Sequence, residues 1–235
     1  MAFKRSAAPT QLAQGDELTA AMVGIGVGFA ATAALQPNIE DTLLAASIEG
    51  MEKDDLRVLS ALTTWLGVHH QRVNADRLIR IVSERREFRV LAYWAAVAHW
   101  LKQDRRLSRL AQLAPKKRVI LLRVGSDFQL KRRGEDPRFK GSVLIVPQGV
   151  LRDRRDDVLS PQQLASLHRG YFQRVQMGPS YRADLWALLE VAPSLSPTAL
   201  ARLGYGSFAT AWQVKRDYEM LQSGPKGGWQ FVPPL

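Results

Sequence analysis

Two polar side chains three residues apart, Gln213 and Arg216, carry the most specific chemistry in this sequence. Glutamine can pair bidentately with adenine, and arginine with guanine, from within a DNA major groove. Both lie in FATAWQVKRDYEML, where Ala211, Val214, Tyr218 and Leu221 recur at three- and four-residue steps. That spacing predicts a helix with one face for its own core and a polar face opposite. Thr210, Trp212 and Lys215 flank the polar pair. Ser207 stands at the N-cap position, where it and the first N–H groups of the helix could hold a phosphate. A second group offers charge without base-reading capacity: Lys131, Arg132, Arg133, Arg138 and Lys140 in the stretch DFQLKRRGEDPRFK. Lys226, in the glycine-rich SGPKGG, could grip the backbone or minor groove.

Other chemistries have little to draw on. The chain has no cysteine, which excludes disulfides, thiolate metal sites and cysteine nucleophiles, and suits a reducing cytoplasm. Its four histidines include the adjacent His69 and His70, which on a helix point about 100° apart and cannot share a metal as an i, i+4 pair does. No Walker loop, G-x-S-x-G or H-E-x-x-H occurs. A non-enzymatic protein without a cofactor or metal is expected.

Charge points to a polyanionic partner. The 235 residues carry a formal charge of +11 and a pI near 10.3. Residues 1–116 are net +3 and residues 117–235 net +8. Within Lys117 to Arg155 there are 11 Lys and Arg against four acids, whereas from Ser180 to the end there are five against four. The positive field and the base-reading groups thus sit in different stretches.

The elements that must position these groups can be read in outline. The uncharged run Leu18 to Leu35 invites an export or membrane reading, but Asp16 and Glu17 abut it and Gly24, Gly26 and Gly28 dilute it. A buried, glycine-packed helix is expected there, and no membrane association. GIGVGF follows a helix-like segment and lacks G-x-G-x-x-G spacing, so it is not a dinucleotide loop. Ile39, Leu43 and Leu44, and then Leu56, Leu59, Leu62 and Leu66, have helical period. Asn74 caps ADRLIRIVSER, and EFRVLAYWAAVAHWLKQ forms a further helix, with Trp65, Trp94 and Trp100 as core aromatics. RVILLRV and GSVLIVP read as short strands flanking the basic stretch, as in an antiparallel β-ribbon with a basic loop. Ser160-Pro161 starts a helix running through QQLASLHRGYFQRV. Ser180 caps YRADLWALLEV, and Ser194 to Pro197 breaks the chain before TALARLG.

From Ser180 to Pro233 the sequence resembles the helix-turn-helix of bacterial winged-helix regulators. Ala199, Leu200, Ala201, Gly204, Ser207, Thr210 and Leu221 match that pattern, although LGYGSFAT has one residue more between glycine and capping serine than the usual form. The resemblance implies that WQFVP supplies the strand of a wing. The longer C-terminal stretch is faintly similar to antitoxin and repressor proteins, which implies autoregulation and a cognate protein.

The expected fold is α+β and mostly α: a helical domain over residues 1–116, a basic antiparallel β-ribbon and linker region over 117–159, and a winged-helix domain with a leading helix over 160–235. The expected function is binding of double-stranded DNA in the cytoplasm, as a transcriptional regulator or a DNA-associated defence component. The alternative is an interaction scaffold whose winged helix docks a protein. A cognate partner and a homodimer stay open beside DNA.

Overall fold

A computed structural model describes residues 11–223. They form a mostly helical protein that divides between Pro179 and Ser180 into two compact units.

In the first unit α1 spans Gly15–Gly24, α2 Ile39–Glu52, α3 Leu56–His69, α4 Ala75–Ser83 and α5 Phe88–Trp100. Helix starts are set by local caps: the Asn38 side chain accepts from the Asp41 N–H, Asp55 from those of Arg57 and Val58, and Asn74 from that of Arg77. α5 is buried on nearly all sides, from Val90 and Tyr93 to Trp94 and Val97. It therefore lacks the one-sided apolar pattern of a surface helix. The indole N–H groups of the buried Trp65 and Trp94 donate to the Ile25 carbonyl at 2.8 Å and to Ser47 Oγ at 3.0 Å. Both indole tips are thus satisfied.

The apolar N-terminal run is only half helix. α1 stops at Gly24, where an added Cβ would lie 2.6 Å from the Ala34 carbonyl oxygen, and Gly26 takes φ +93°. The Ala34 N–H then donates to the Ala20 carbonyl and the Gly28 N–H to that of Asp157. The glycines let the backbone fold back at close range, which shortens the expected helix. Among the described residues no helix is long and apolar enough to cross a membrane.

The antiparallel ribbon does not form. β1 (Val119–Ile120) pairs with β2 (Leu144–Ile145) in parallel, with Val119 opposite Leu144 and Ile120 opposite Ile145, after the short α6 (Ser108–Ala111). The intervening basic stretch is not a hairpin loop but contains α7, Ser126–Arg133. Gly125 and Gly134, both at φ +76°, bracket this helix, Asp127 occupies its first turn and Lys131, Arg132 and Arg133 its last. Acid at the start and base at the end complement the helix dipole, and a connection of this length can cross over to a parallel strand.

Nor are residues 117–159 a linker. Val119, Leu121, Phe139, Leu144 and Val146 join the same core as α2 to α5. α8 (Pro161–Leu167) and α9 (Arg169–Met177) add Leu164 and Tyr171 to it, so the helix expected to lead the C-terminal domain belongs to the first unit. Ser160 and Pro161 open α8 as the sequence predicts, and Gln163 completes a capping box with Ser160. The expected single helix breaks at His168, whose ring accepts from the Tyr171 N–H and whose Nε2 donates to the Pro37 carbonyl at 2.9 Å.

In the second unit three helices, α10 (Tyr181–Val191), α11 (Pro197–Leu203) and α12 (Phe208–Ser223), enclose a separate small core.

Candidate nucleic-acid interface

The turn between α11 and α12 is built against one side chain. Ser196 caps α11 by accepting from the Ala199 N–H at 3.2 Å, and Pro197 fits its first turn. An added Cβ at Gly204 would lie 2.4 Å from Leu185 Cδ2 of α10, and one at Gly206 3.3 Å from Leu185 Cδ1. Between them Tyr205 turns the chain at φ +56°. The two glycines let the turn rest on Leu185, and Ser207 then caps α12, accepting from the Thr210 N–H at 3.0 Å. The Ser207 and Thr210 hydroxyls also lie 2.8 Å apart.

Ala211, Val214 and Tyr218 pack inward with Leu185, Leu189, Leu200 and Ala201, and Trp186 meets the Tyr218 ring edge-on at 5.3 Å. Leu221 does not continue this face as its spacing predicts. It is 65% exposed, because among the described residues the core of the unit ends at Tyr218.

On the other side of α12, Phe208, Ala209, Trp212, Gln213 and Arg216 line a shallow depression. Gln213 and Arg216 are exposed, as their spacing predicts. The Arg216 guanidinium lies over the Trp212 ring at 5.1 Å and 3.7 Å from the Asp217 carboxylate. Thr210 is half-buried beside its capping serine. Lys215 is turned elsewhere: its ammonium donates to the Leu195 carbonyl at 2.7 Å and lies 3.4 Å from Glu219, tying α12 to the loop after α10. Phe208 is the residue that the polar reading missed. It stands one helical turn before Trp212, and the i, i+4 aromatic spacing was the signal available.

The basic group of the first unit divides in two. Lys131, Arg132, Arg133 and Lys140 are exposed and form no ion pair among the described residues. Arg138 is not among these outward cations. Its guanidinium is bound to the Asp136 carboxylate at 2.6 and 3.0 Å and to the Leu151 carbonyl. Lys226 and the strand expected near Trp229 to Phe231 lie outside the described residues.

Among the described residues no cluster of His, Asp or Glu could hold a metal ion. The buried His69 serves packing. His69 Nε2 faces the Leu159 carbonyl at 3.0 Å, so it must carry the proton, and Nδ1 then accepts from the Tyr171 hydroxyl at 2.8 Å. Burial lowers its pKa to about 4, and burial pushes that of Tyr171 up to about 12. The neutral ring thus joins α3 to α9. His70 turns away to the Leu66 carbonyl, as adjacent helical residues must.

The class that this arrangement defines is a small three-helix unit with a capped, outward-facing third helix, carried on a chain whose larger unit is helical and basic. No protein-family model, curated protein or solved structure matches the chain.

Proposed function

We propose that this chain is a non-enzymatic, double-stranded-DNA-binding protein of helix-turn-helix type, acting in the cytoplasm as a transcriptional regulator or DNA-associated defence component. The observation that carries the reading is the unpacked face of α12, which begins at the Ser207 cap and presents Gln213 and Arg216 on successive turns. A helix that enters the major groove needs such a face near its N-terminus, with its other face held by a supporting helix, here α11. Phe208 and Trp212 would add apolar contact of the kind that thymine methyl groups accept. The outward cations of α7 supply phosphate contacts that the second unit, with four basic and four acidic residues over 180–223, does not.

The test is binding of the full chain to a selected duplex and to random duplex across a salt series. The reading expects tighter binding to the selected duplex and a linear fall of log affinity with log salt on both. Absence of salt-dependent binding to any duplex overturns it.

A second reading has its own support. Phe208 and Trp212 are each about half exposed on a unit that is nearly neutral, and exposed aromatics with arginine are also what protein interfaces use. On that reading α12 docks a protein, and Trp212→Ala abolishes partner binding while duplex binding is absent from the start.

A further inference from the structure

β1 has one paired edge and one open edge. The Val119 and Leu121 N–H groups donate to the carbonyls of Val143 and Ile145, so by strand alternation the Ile120 N–H points the other way. It has no acceptor among the described residues. Arg89 fixes the strand and takes the carbonyl that shares an edge with the Ile120 N–H, so at Ile120 that edge offers a donor, its acceptor being already engaged. The buried Arg89 of α5 donates to the carbonyls of Met51 at 2.7 Å, Leu121 at 2.8 Å and Ile120 at 3.3 Å.

Beside this edge runs a groove of about 680 Å³ between the start of α5 and the chain leading into β1. Phe88, Pro115, Val119 and Ile120 make its floor apolar, with Phe88 59% and Ile120 39% exposed. Lys116, Lys117 and Arg118 rim it, no acidic residue lines it, and neither lysine has an ion pair among the described residues.

We infer that the outer edge of β1 and this groove form a docking site for an extended acidic segment of a partner protein, which adds as a strand beside β1. Each part of the site answers to one property of such a segment. The Ile120 N–H, without an acceptor among the described residues, donates a main-chain hydrogen bond, the Phe88 and Ile120 floor takes alternate apolar side chains, and the lysine rim takes the acidic residues between them. Arg118 is paired with Glu135 at 3.2 Å, but two copies of this edge repel each other through Lys116 and Lys117, the usual guard against self-pairing, so a second copy is not the occupant. Nucleic acid would engage the lysines but gain nothing from a strand N–H above an apolar floor.

The experiment selects a displayed library of random ten-residue peptides on the full chain and measures a synthetic consensus peptide by fluorescence anisotropy. The expected consensus alternates Asp or Glu with aliphatic residues. Phe88→Ala, and separately Lys116→Glu with Lys117→Glu, weaken its binding by about tenfold or more. Ile120→Pro removes the N–H and abolishes binding, while Ile120→Val retains it. Thermal melts by circular dichroism confirm that each variant is folded, and Phe88, already exposed, gives the variant least able to disturb the fold. The inference is overturned if no acidic strand-like peptides are enriched, if the enriched peptides bind the Phe88→Ala chain as well as the parent, or if duplex DNA displaces them competitively, in which case the rim belongs to nucleic acid.

Discussion

The Arg174 guanidinium grips both carboxylate oxygens of Glu40, at 2.7 and 2.9 Å, across 134 residues of sequence. Both side chains are buried, and the fork joins α9 to α2. Glu40 also accepts from the Asn74 N–H at 2.9 Å, and Arg77 lies 3.7 Å away while donating to Asn38 and Asp41. Burial opposes the charge on Glu40, but Arg174 and Arg77 outweigh it and hold the carboxyl below its ordinary range. Arg174→Met should therefore destabilise the first unit by about 3 to 5 kcal/mol, because it leaves a buried carboxylate without its bidentate partner. Adding Glu40→Leu should recover part of that loss. Urea denaturation of the single and double variants measures both effects.

Acid should weaken the first unit through His69 before it reaches the carboxylates. The histidine has a pKa near 6.5 unfolded and about 4 folded, so the unfolded chain binds the proton more tightly. Its contribution is complete above pH 6.5 and is lost as pH falls toward 4. Between pH 7.5 and pH 5 the loss is about 2 kcal/mol. Below the ordinary carboxylate range, loss of charge on Glu40 adds to it. Urea midpoints at the two pH values should differ accordingly in the parent and much less in His69→Gln; equal slopes would remove His69 as the cause.

Gly204→Ala should loosen the second unit alone. Its φ of −93° is open to alanine, so the cost is steric: the new methyl meets Leu185 Cδ2. Overpacking of this kind costs about 1 to 3 kcal/mol. Amide hydrogen exchange should rise across α10 to α12 with no change in α2 to α5.

If α12 reads DNA, Gln213→Ala and Arg216→Ala should each cost a preferred duplex about 1 to 3 kcal/mol and blur its sequence preference. Neutralising Lys131, Arg132 and Arg133 should act alike on all duplexes, lowering the salt slope by about 0.9 for each phosphate that is no longer neutralised. Lys215→Ala should instead lower the stability of the second unit, because its ammonium holds the Leu195 carbonyl. Anisotropy titrations of these variants over a salt series separate the three behaviours.

Local signals determined much of this molecule without tertiary help. The caps at Asn74, Ser160, Ser180 and Ser207 were legible because the donor and acceptor lie within three residues of one another. The buried Trp65 and Trp94, the three C-terminal helices and the outward Gln213 and Arg216 followed from periodicity, which is also local. What tertiary structure decided was whatever depends on a partner far along the chain. Charge density made Lys131 to Arg133 look like loop residues, yet glycines at both ends and a favourable dipole make them a helix, and only the crossover made β1 and β2 parallel. Arg138 and Lys215 resembled their exposed neighbours in sequence, but Asp136 and the Leu195 carbonyl turn them inward. Leu221 kept the spacing of a core residue but meets no core among the described residues. The assignment of α8 and α9 to the first unit rests on packing and on the Arg174–Glu40 fork, a pairing of residues too far apart in sequence for any local pattern to record.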